Sequence, residues 1–424
     1  MNILYLIAVY GPEYMAGEIH RELGRELASL GHGFSVLAFE SEAGRREREG
    51  RRGAWDDDGF PVYRRVTAGL PGIDLLNRLA RPLLKYERFL PAERALSRHL
   101  RDHPEVDLVL AEGAYPFGAI AASACTRHSI PFVVTVAGGD FISSHAVRYG
   151  YGRFRFPRYA VKRVLARAAA IRATTPLVRE EVVALGGNPE KTFVVPRNVA
   201  GALFQSPQLS AADLRSRARA EVEKRWGPLP GPFLACAGRL LPIKGFGHAI
   251  RALAQLPSEF RSARLLVAGP DRAGHLDELR KMAAEHNVSE AVIFPGPLST
   301  QELRTVLAAA DLALVPSILE GMNKVAVEAG ALGTPSIITR TTGIAEPLGK
   351  AGAGLLVEPE DAAGLAGAVA TLLRDPARRA EMGRAGVAFA AGFHPARIAA
   401  DLQALFARAM GSLDEARVAI PPTA

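Results

Sequence analysis

Short apolar runs alternate with helix-length amphipathic stretches along nearly the whole chain, and they do so in two series. The first series has runs at residues 3–8, 34–39, 106–110, 132–136, 170–174 and 192–195. The second has runs at 233–237, 264–268, 292–294, 312–315 and 336–338. Helical patterns such as 17–30 lie between most of them. A strand that is apolar along its length is covered on both faces, and strands separated by helices pair in parallel. The alternation therefore predicts an α/β chain built from two doubly wound units.

With 424 residues, the chain exceeds what one ordinary core accommodates. The break between the two series falls in a polar, charged stretch that ends in GPLPGP at 227–232. Turn formers at this density mark a boundary. The expected organisation is an N-terminal unit over 1–205, a linker over 206–232 and a C-terminal unit over 233–395. A last helix over 396–413 is expected to pack back on the N-terminal unit, with a disordered tail over 414–424. The two units are expected to face each other across a cleft, with ligands at the carboxyl ends of the strands. The opening MNILYLIAVYGP lacks a basic start and breaks at Gly11-Pro12, so it is read as a core strand and not as a signal peptide. No run approaches the ~20 apolar residues of a membrane span. Cys125 and Cys236 lie in separate apolar runs, which fits a reduced cytoplasmic protein.

The net charge of +8 is concentrated. Residues 148–172, RYGYGRFRFPRYAVKRVLARAAAIR, hold eight of the 52 bases and no acid, and the remaining 44 bases balance 44 acids. Such a stretch is a solvated helix face or a surface for an anionic partner, either lipid head groups at the inner membrane face or an anionic acceptor. No nucleic-acid motif accompanies it, so nucleic acid is not expected as a partner.

Two stretches carry chemistry. In LVPSILEGMNKVAVEAG (314–330) a strand leads through a turn to a helix that begins near Asn323. Unpaired N–H groups and the dipole make that helix start an anion site. Gly321 lets a ligand approach the backbone. Glu320, outside the helix, would repel a phosphate but accepts hydrogen bonds from neutral hydroxyls. Glu328, one to two turns on, can reach a second set of hydroxyls. The layout fits a sugar, a phosphate and a ribose laid across the helix start. The alternative is that Glu320 caps the helix and Glu328 is a surface residue. In CAGRLLPIKGF (236–246) a strand ends at Ala237, Gly238-Arg239 follows, and Lys244 is read as opening the next helix. Two cations at a strand's carboxyl end can clamp a diphosphate and stabilise it as it departs. Ordinary turn cations are the alternative.

These residues resemble a known family. PSILEGMNKVAVEAGALGTP (316–335) is similar to the P-S-x-x-E-G segment, with its E-x7-E pair, of the family 4 retaining glycosyltransferases, whose GT-B fold has two Rossmann-like domains. AGRLLPIKG (237–245) resembles their G-R-L…K-G segment. Residues 292–317, AGEIHRELGRELASLGH (16–32) and AGAGLLVEPED (351–361) are further matches, in the family's order over nearly the whole chain.

The resemblance implies roles at matching positions. Arg239 and Lys244, beside Gly238, would bind the donor diphosphate, and Glu320 would hold the donor sugar. The backbone of Gly321, Met322, Asn323, Lys324 and Val325 would cradle sugar and phosphate. Glu328 would hold the ribose, and Gly17, in the loop after the first strand, would approach the phosphate. Pro297 and Leu298 would contact the base. The acceptor would bind the N-terminal unit near Ala137, Gly138 and Asp140. The implied activity is transfer of a hexose-type sugar from a nucleotide-diphosphate sugar, with a UDP-sugar the favoured donor, to a hydroxyl of a glycan or glycolipid. Retention of configuration by front-face attack, without a metal or other cofactor, is implied with it. Alternatives are a soluble-acceptor glycoside synthase of the same fold, a non-catalytic nucleotide-sugar-binding protein and, fitting the E-x7-E segment poorly, a GT-B epimerase.

Departures from the family pattern are specific. Ala137 stands where a histidine is common in T-x-H-G-x-D. The usual double glycine reads Ala16-Gly17, the P-N-G-V-D turn reads Pro196-Arg197-Asn198-Val199-Ala200, and E-G-F-G reads Glu320-Gly321-Met322-Asn323. Asp56-Asp57-Asp58 contains a D-x-D pattern, but it lies between an Arg-rich loop and an expected strand, far from the donor motifs, and is read as surface. His20, His248 and His286 show no ligand spacing.

Overall fold

The computed structural model describes residues 1–8, 10, 17–40, 59–66, 89–138, 143, 144, 147, 149–204, 211–271 and 274–411. The chain divides into two units, one of Met1–Ala200 with the helix Pro395–Ala409, the other of Gly201–His394.

In the first unit the strands are β1 (Asn2–Ile7), β2 (Gly33–Glu40), β3 (Val62–Val66), β4 (Leu108–Glu112), β5 (Phe132–Val136), β6 (Ala170–Ala173) and β7 (Thr192–Val194). They form one parallel sheet in the order β3-β2-β1-β4-β5-β6-β7. The order reverses between β1 and β4, which makes that crevice the switch point of a doubly wound sheet. Central strands are buried along their length, as in LVLA of β4 and FVVTV of β5. The helix Pro395–Ala409 packs on Gly17–Ser29, and its Ile398, Leu402, Leu405 and Phe406 join Ile3, Tyr5, Leu23 and Leu27 in one core.

The second unit holds β8 (Phe233–Ala237), β9 (Arg264–Ala268), β10 (Val292–Gly296), β11 (Leu312–Val315), β12 (Ser336–Thr339) and β13 (Gly354–Val357), parallel in the order β10-β9-β8-β11-β12-β13. Here the reversal lies between β8 and β11. Separate apolar clusters cover the two faces of this sheet.

Two expectations are corrected. The stretch 206–232 is not only a linker: it contains the helix Ala211–Trp226, packed on the helix Thr300–Ala309. Its burial rests on Ala218 and Val222, a narrow stripe in an otherwise charged sequence. Arg219, flanking that stripe, ties the helix down by donating to the Leu229 carbonyl (2.9 Å) and pairing with Asp311 (3.4 Å). The edge strand β13 was not among the expected runs, since all four of its residues are half-buried. Residues 414–424 and Asp56–Asp58 lie outside the described residues.

Candidate functional site

The motif residues of the second unit collect on the loops that leave the carboxyl ends of β8, β10 and β11. Gly238 follows β8 with φ +150°, and its N–H donates to the Ala268 carbonyl (2.9 Å). Arg239 comes next and is exposed. Lys244 does not open a helix as expected. It ends a 3₁₀ turn, Pro242–Lys244, which Gly245 closes in the left-handed region (φ 66°) before the helix Phe246–Ala254. A Cβ on Gly245 would lie 1.9 Å from the Pro316 carbonyl oxygen, so only glycine lets the loops after β8 and β11 touch. The Ile318 N–H donates to the Ile243 carbonyl (2.9 Å), stitching the same two loops across the switch point.

Lys244 and Glu320, 76 positions apart, meet there: Lys244 Nζ donates to Glu320 Oε1. Both side chains are only 15% exposed, so water screens the pair less than a surface ion pair. Glu320 Oε2 accepts from Ser317 Oγ (2.9 Å) and Asn323 Nδ2 (2.8 Å). The Glu320 backbone is also tied. Its N–H donates to the Thr341 carbonyl (3.2 Å), and its carbonyl accepts from Gly343 N–H (2.9 Å). Thr339 Oγ1 donates to the Ser317 carbonyl (2.5 Å), which roots the loop in β12.

The helix after this loop is Lys324–Ala331, and Glu320 does not cap it. Asn323 does, with Oδ1 accepting from Ala326 N–H (3.0 Å). Gly321 is buried, Met322, Lys324, Val325 and Glu328 are half-buried, and Glu328 lies in the helix's second turn. Pro297 and Leu298 follow β10, two strands from β8. Pro297 is exposed, and Leu298 is half-buried against the apolar cluster that includes Phe233, Ala235 and Leu266. One edge of one sheet thus carries a cation, an oriented carboxylate and a helix start, a set that can hold an anion beside a polyhydroxyl group.

In the first unit, Gly17 is buried and is the first residue of the helix Gly17–Ser29, not a loop residue. The first turn of that helix is anchored to a polar cluster at the β1/β4 switch point. Tyr5 Oη donates to Glu112 Oε2 (3.0 Å) and contacts His20 Nδ1 (2.7 Å), so the His20 Nδ1–H must be the donor to Tyr5. Arg197 pairs with Glu112, and Asn198 Nδ2 donates to the Ile19 carbonyl (3.0 Å). Burial alone would raise the Glu112 pKa. Arg197, His20 and Arg172, with the Tyr5 hydroxyl, bring it below the ordinary value instead. Burial, then the Glu112 charge, pushes the Tyr5 hydroxyl well up. Burial lowers the Arg172 guanidinium to about 10.

Ala137 is half-buried just beyond β5, Gly138 follows with φ +146°, and Asp140 lies outside the described residues. Roles for Ser317, Thr339, Tyr5 and Glu112 escaped the sequence reading, which named His20, Arg197 and Asn198 without bringing them together. Ser317 had a signal, because S-x-x-E spacing brings a hydroxyl near a carboxylate three residues on. Among the described residues, no group of three or more His, Cys, Asp or Glu could hold a metal ion.

Of the basic window, Arg155, Arg158, Lys162, Arg163 and Arg167 are exposed on the helix Arg155–Arg167. Arg172 is not part of that surface: it is buried, with Nε donating to the Val195 carbonyl (2.9 Å). Three of the six large exposed apolar side chains among the described residues are Tyr151, Phe156 and Tyr159, beside these cations. Among the described residues no helix is long and apolar enough to cross a membrane.

Two doubly wound α/β units in one chain are the architecture of GT-B glycosyltransferases. The family model described as "Glycosyl transferases group 1" matches residues 220–388, and "Glycosyl transferase 4-like domain" matches 16–198. The chain is 36% identical over 247 residues to the D-inositol 3-phosphate glycosyltransferase of Acidothermus cellulolyticus, covering 55% of this chain and 53% of that one. It spans about half the length of the first such relatives it matches. It is 29% identical over 382 residues to the putative teichuronic acid biosynthesis glycosyltransferase TuaC of Bacillus subtilis, covering 87% and 88%. The structure of Anabaena HepE in complex with UDP-glucose has the same fold, with a TM-score of 0.72 and 20% identity over 97% of this chain and 100% of that one. The chain belongs to the group 1 glycosyltransferases, with the GT-B fold.

Proposed function

We propose that the chain is a retaining glycosyltransferase that moves a hexose-type sugar from a nucleotide-diphosphate sugar, a UDP-sugar first among candidates, to a hydroxyl of a glycan or glycolipid. The observation that carries this reading is the Lys244–Glu320 pair at the β8/β11 switch point, beside the exposed Arg239 and the start of the helix Lys324–Ala331. Lys244 and Arg239 take the diphosphate, the helix start adds N–H donors, and Glu320 reads sugar hydroxyls. Glu328 holds the ribose, and Pro297 and Leu298 meet the base. In the first unit, the family resemblance assigns Gly17 to donor binding and Ala137, Gly138 and Asp140 to the acceptor side.

In the reaction the bond from the anomeric carbon to the diphosphate oxygen breaks. The bond to the acceptor oxygen forms on the same face, and the acceptor's proton passes to the departing diphosphate. The two cations stabilise the charge that develops there. No metal is needed in this scheme. Arg239→Ala and Glu320→Ala should each abolish or strongly reduce transfer in a donor-consumption assay, and wild-type rates in both would end the mechanism.

We further propose that the protein is cytoplasmic and that the face with Tyr151, Phe156, Tyr159 and the cations of Arg155–Arg167 meets an anionic membrane surface, where a glycolipid acceptor would be presented. A soluble-acceptor glycoside synthase would show transfer independent of vesicles. A non-catalytic nucleotide-sugar binder is favoured only by Ala137. It would bind donor tightly with neither transfer nor donor hydrolysis.

A further inference from the structure

The two oxygens of the Glu320 carboxylate are held differently. Oε2 receives two hydrogen bonds, from Ser317 Oγ (2.9 Å) and Asn323 Nδ2 (2.8 Å), and both donors are buried, 1% and 4% exposed. Water cannot readily replace them. The orientation of the Asn323 amide is physically determined. Its Oδ1 accepts from Ala326 N–H (3.0 Å), and a flipped amide would set its NH2 against that N–H and its oxygen against the Glu320 carboxylate. Ser317 is itself rooted, because its carbonyl accepts from Thr339 Oγ1. The chain of bonds therefore runs from β12 through Ser317 to Glu320, and from the capped helix through Asn323 to the same oxygen. The other oxygen, Oε1, meets only Lys244 among the described residues.

We propose that Ser317 and Asn323 are positioning residues that fix Oε2, so that Glu320 presents Oε1 alone to a hydroxyl of the donor sugar. A compact cation on a flexible stem can leave a single carboxylate for a diphosphate, which carries more charge. When Lys244 does so, Oε1 keeps its direction and gains free lone pairs. The carboxylate then needs no reorganisation to accept a sugar hydroxyl. This rests on the function proposed above.

The test separates the sugar from the nucleotide. Binding of UDP and of UDP-glucose is measured calorimetrically for wild type, Ser317→Ala and Asn323→Ser. Serine keeps a hydroxyl that can cap the helix but not the amide that reaches Glu320. Should the wild type prefer a GDP or ADP pair, that nucleotide and its hexose conjugate are used instead. Both variants should weaken the nucleotide-sugar about tenfold while changing the bare nucleotide less than about twofold, so the gain from adding the sugar collapses. Glu320→Ala should erase the same gain. Equal weakening of both ligands would make the two residues merely structural and overturn the proposal, as would unchanged nucleotide-sugar affinity. If the wild type binds no nucleotide, the proposed function falls and takes this inference with it, an outcome distinct from failure in the variants alone.

Discussion

Replacing Glu112 by glutamine tests whether the charge at the first switch point holds the unit together. The substitution keeps shape and leaves an oxygen to accept from Tyr5. It removes the negative partner of Arg197, whose side chain is 30% exposed, and of the buried Arg172 nearby. Removing one partner of a buried ion pair costs about 3–5 kcal/mol because the other charge stays desolvated. The retained Tyr5 bond and the partial exposure of Arg197 put the expectation at the lower end, about 3 kcal/mol. At about 2–4 °C per kcal/mol for a unit of this size, the first unit should melt about 6–12 °C lower at pH 7. Glu112 has its folded pKa held below the ordinary value, first through Arg197 acting against burial. Its contribution is therefore present above the unfolded value near ~4.3 and is lost as pH falls through the folded value. The gap between wild type and variant should be full at neutral pH and narrow below about pH 4. Scanning calorimetry at pH 7 and in acid reads both. A variant that melts within 2 °C of wild type at pH 7, or a gap unchanged in acid, would refute the reasoning.

Other residues give further outcomes. Gly245→Ala places a Cβ 1.9 Å from the Pro316 carbonyl oxygen at φ 66°, so the loops after β8 and β11 must separate. It should lower the melting temperature of the second unit and weaken nucleotide binding in the same samples. Phe406→Ala empties a fully buried site in the core between the first sheet and the helix Pro395–Ala409, and should cost about 3–5 kcal/mol in urea unfolding. Reversing the charge of Arg155, Arg158, Lys162 and Arg163 should release the protein from anionic vesicles in a sedimentation assay, at about 1 kcal/mol per base. Unchanged sedimentation would remove the membrane from the account.

How much could be read beforehand followed from where each residue is buried. Strands such as β1, β5 and β11 are apolar along their length because helices cover both faces, so they stood out in the chain. The edge strand β13, half-buried throughout, did not. The helix Ala211–Trp226 was masked by its own composition, with arginines and glutamates on the exposed side of a stripe as thin as Ala218 and Val222. At the site, local spacing placed Glu320 and Glu328 around a helix start, but it left open which residue caps that helix. Asn323 closes that question because its side chain reaches Ala326. Local spacing could not bring Lys244 to Glu320, since sheet order sets that meeting. The Tyr5–His20–Glu112–Arg197 cluster was out of reach for the same reason: Tyr5 and Glu112 stand 107 positions apart, Arg197 lies a further 85 along the chain, and the four share no motif.

The central claim is that the β8/β11 switch point holds a nucleotide-diphosphate sugar, and ligand-induced thermal stabilisation tests it most directly. The wild type and the Glu320→Ala and Arg239→Ala variants are heated with UDP, GDP and ADP, each free and as a hexose conjugate. A ligand present at 100 times its dissociation constant adds about 2.7 kcal/mol of stability, an easily read shift. The account predicts a wild-type shift with one nucleotide family, loss of most of it in Arg239→Ala, and loss of the sugar's share in Glu320→Ala. No shift with any nucleotide, or equal shifts in all three proteins, would contradict it.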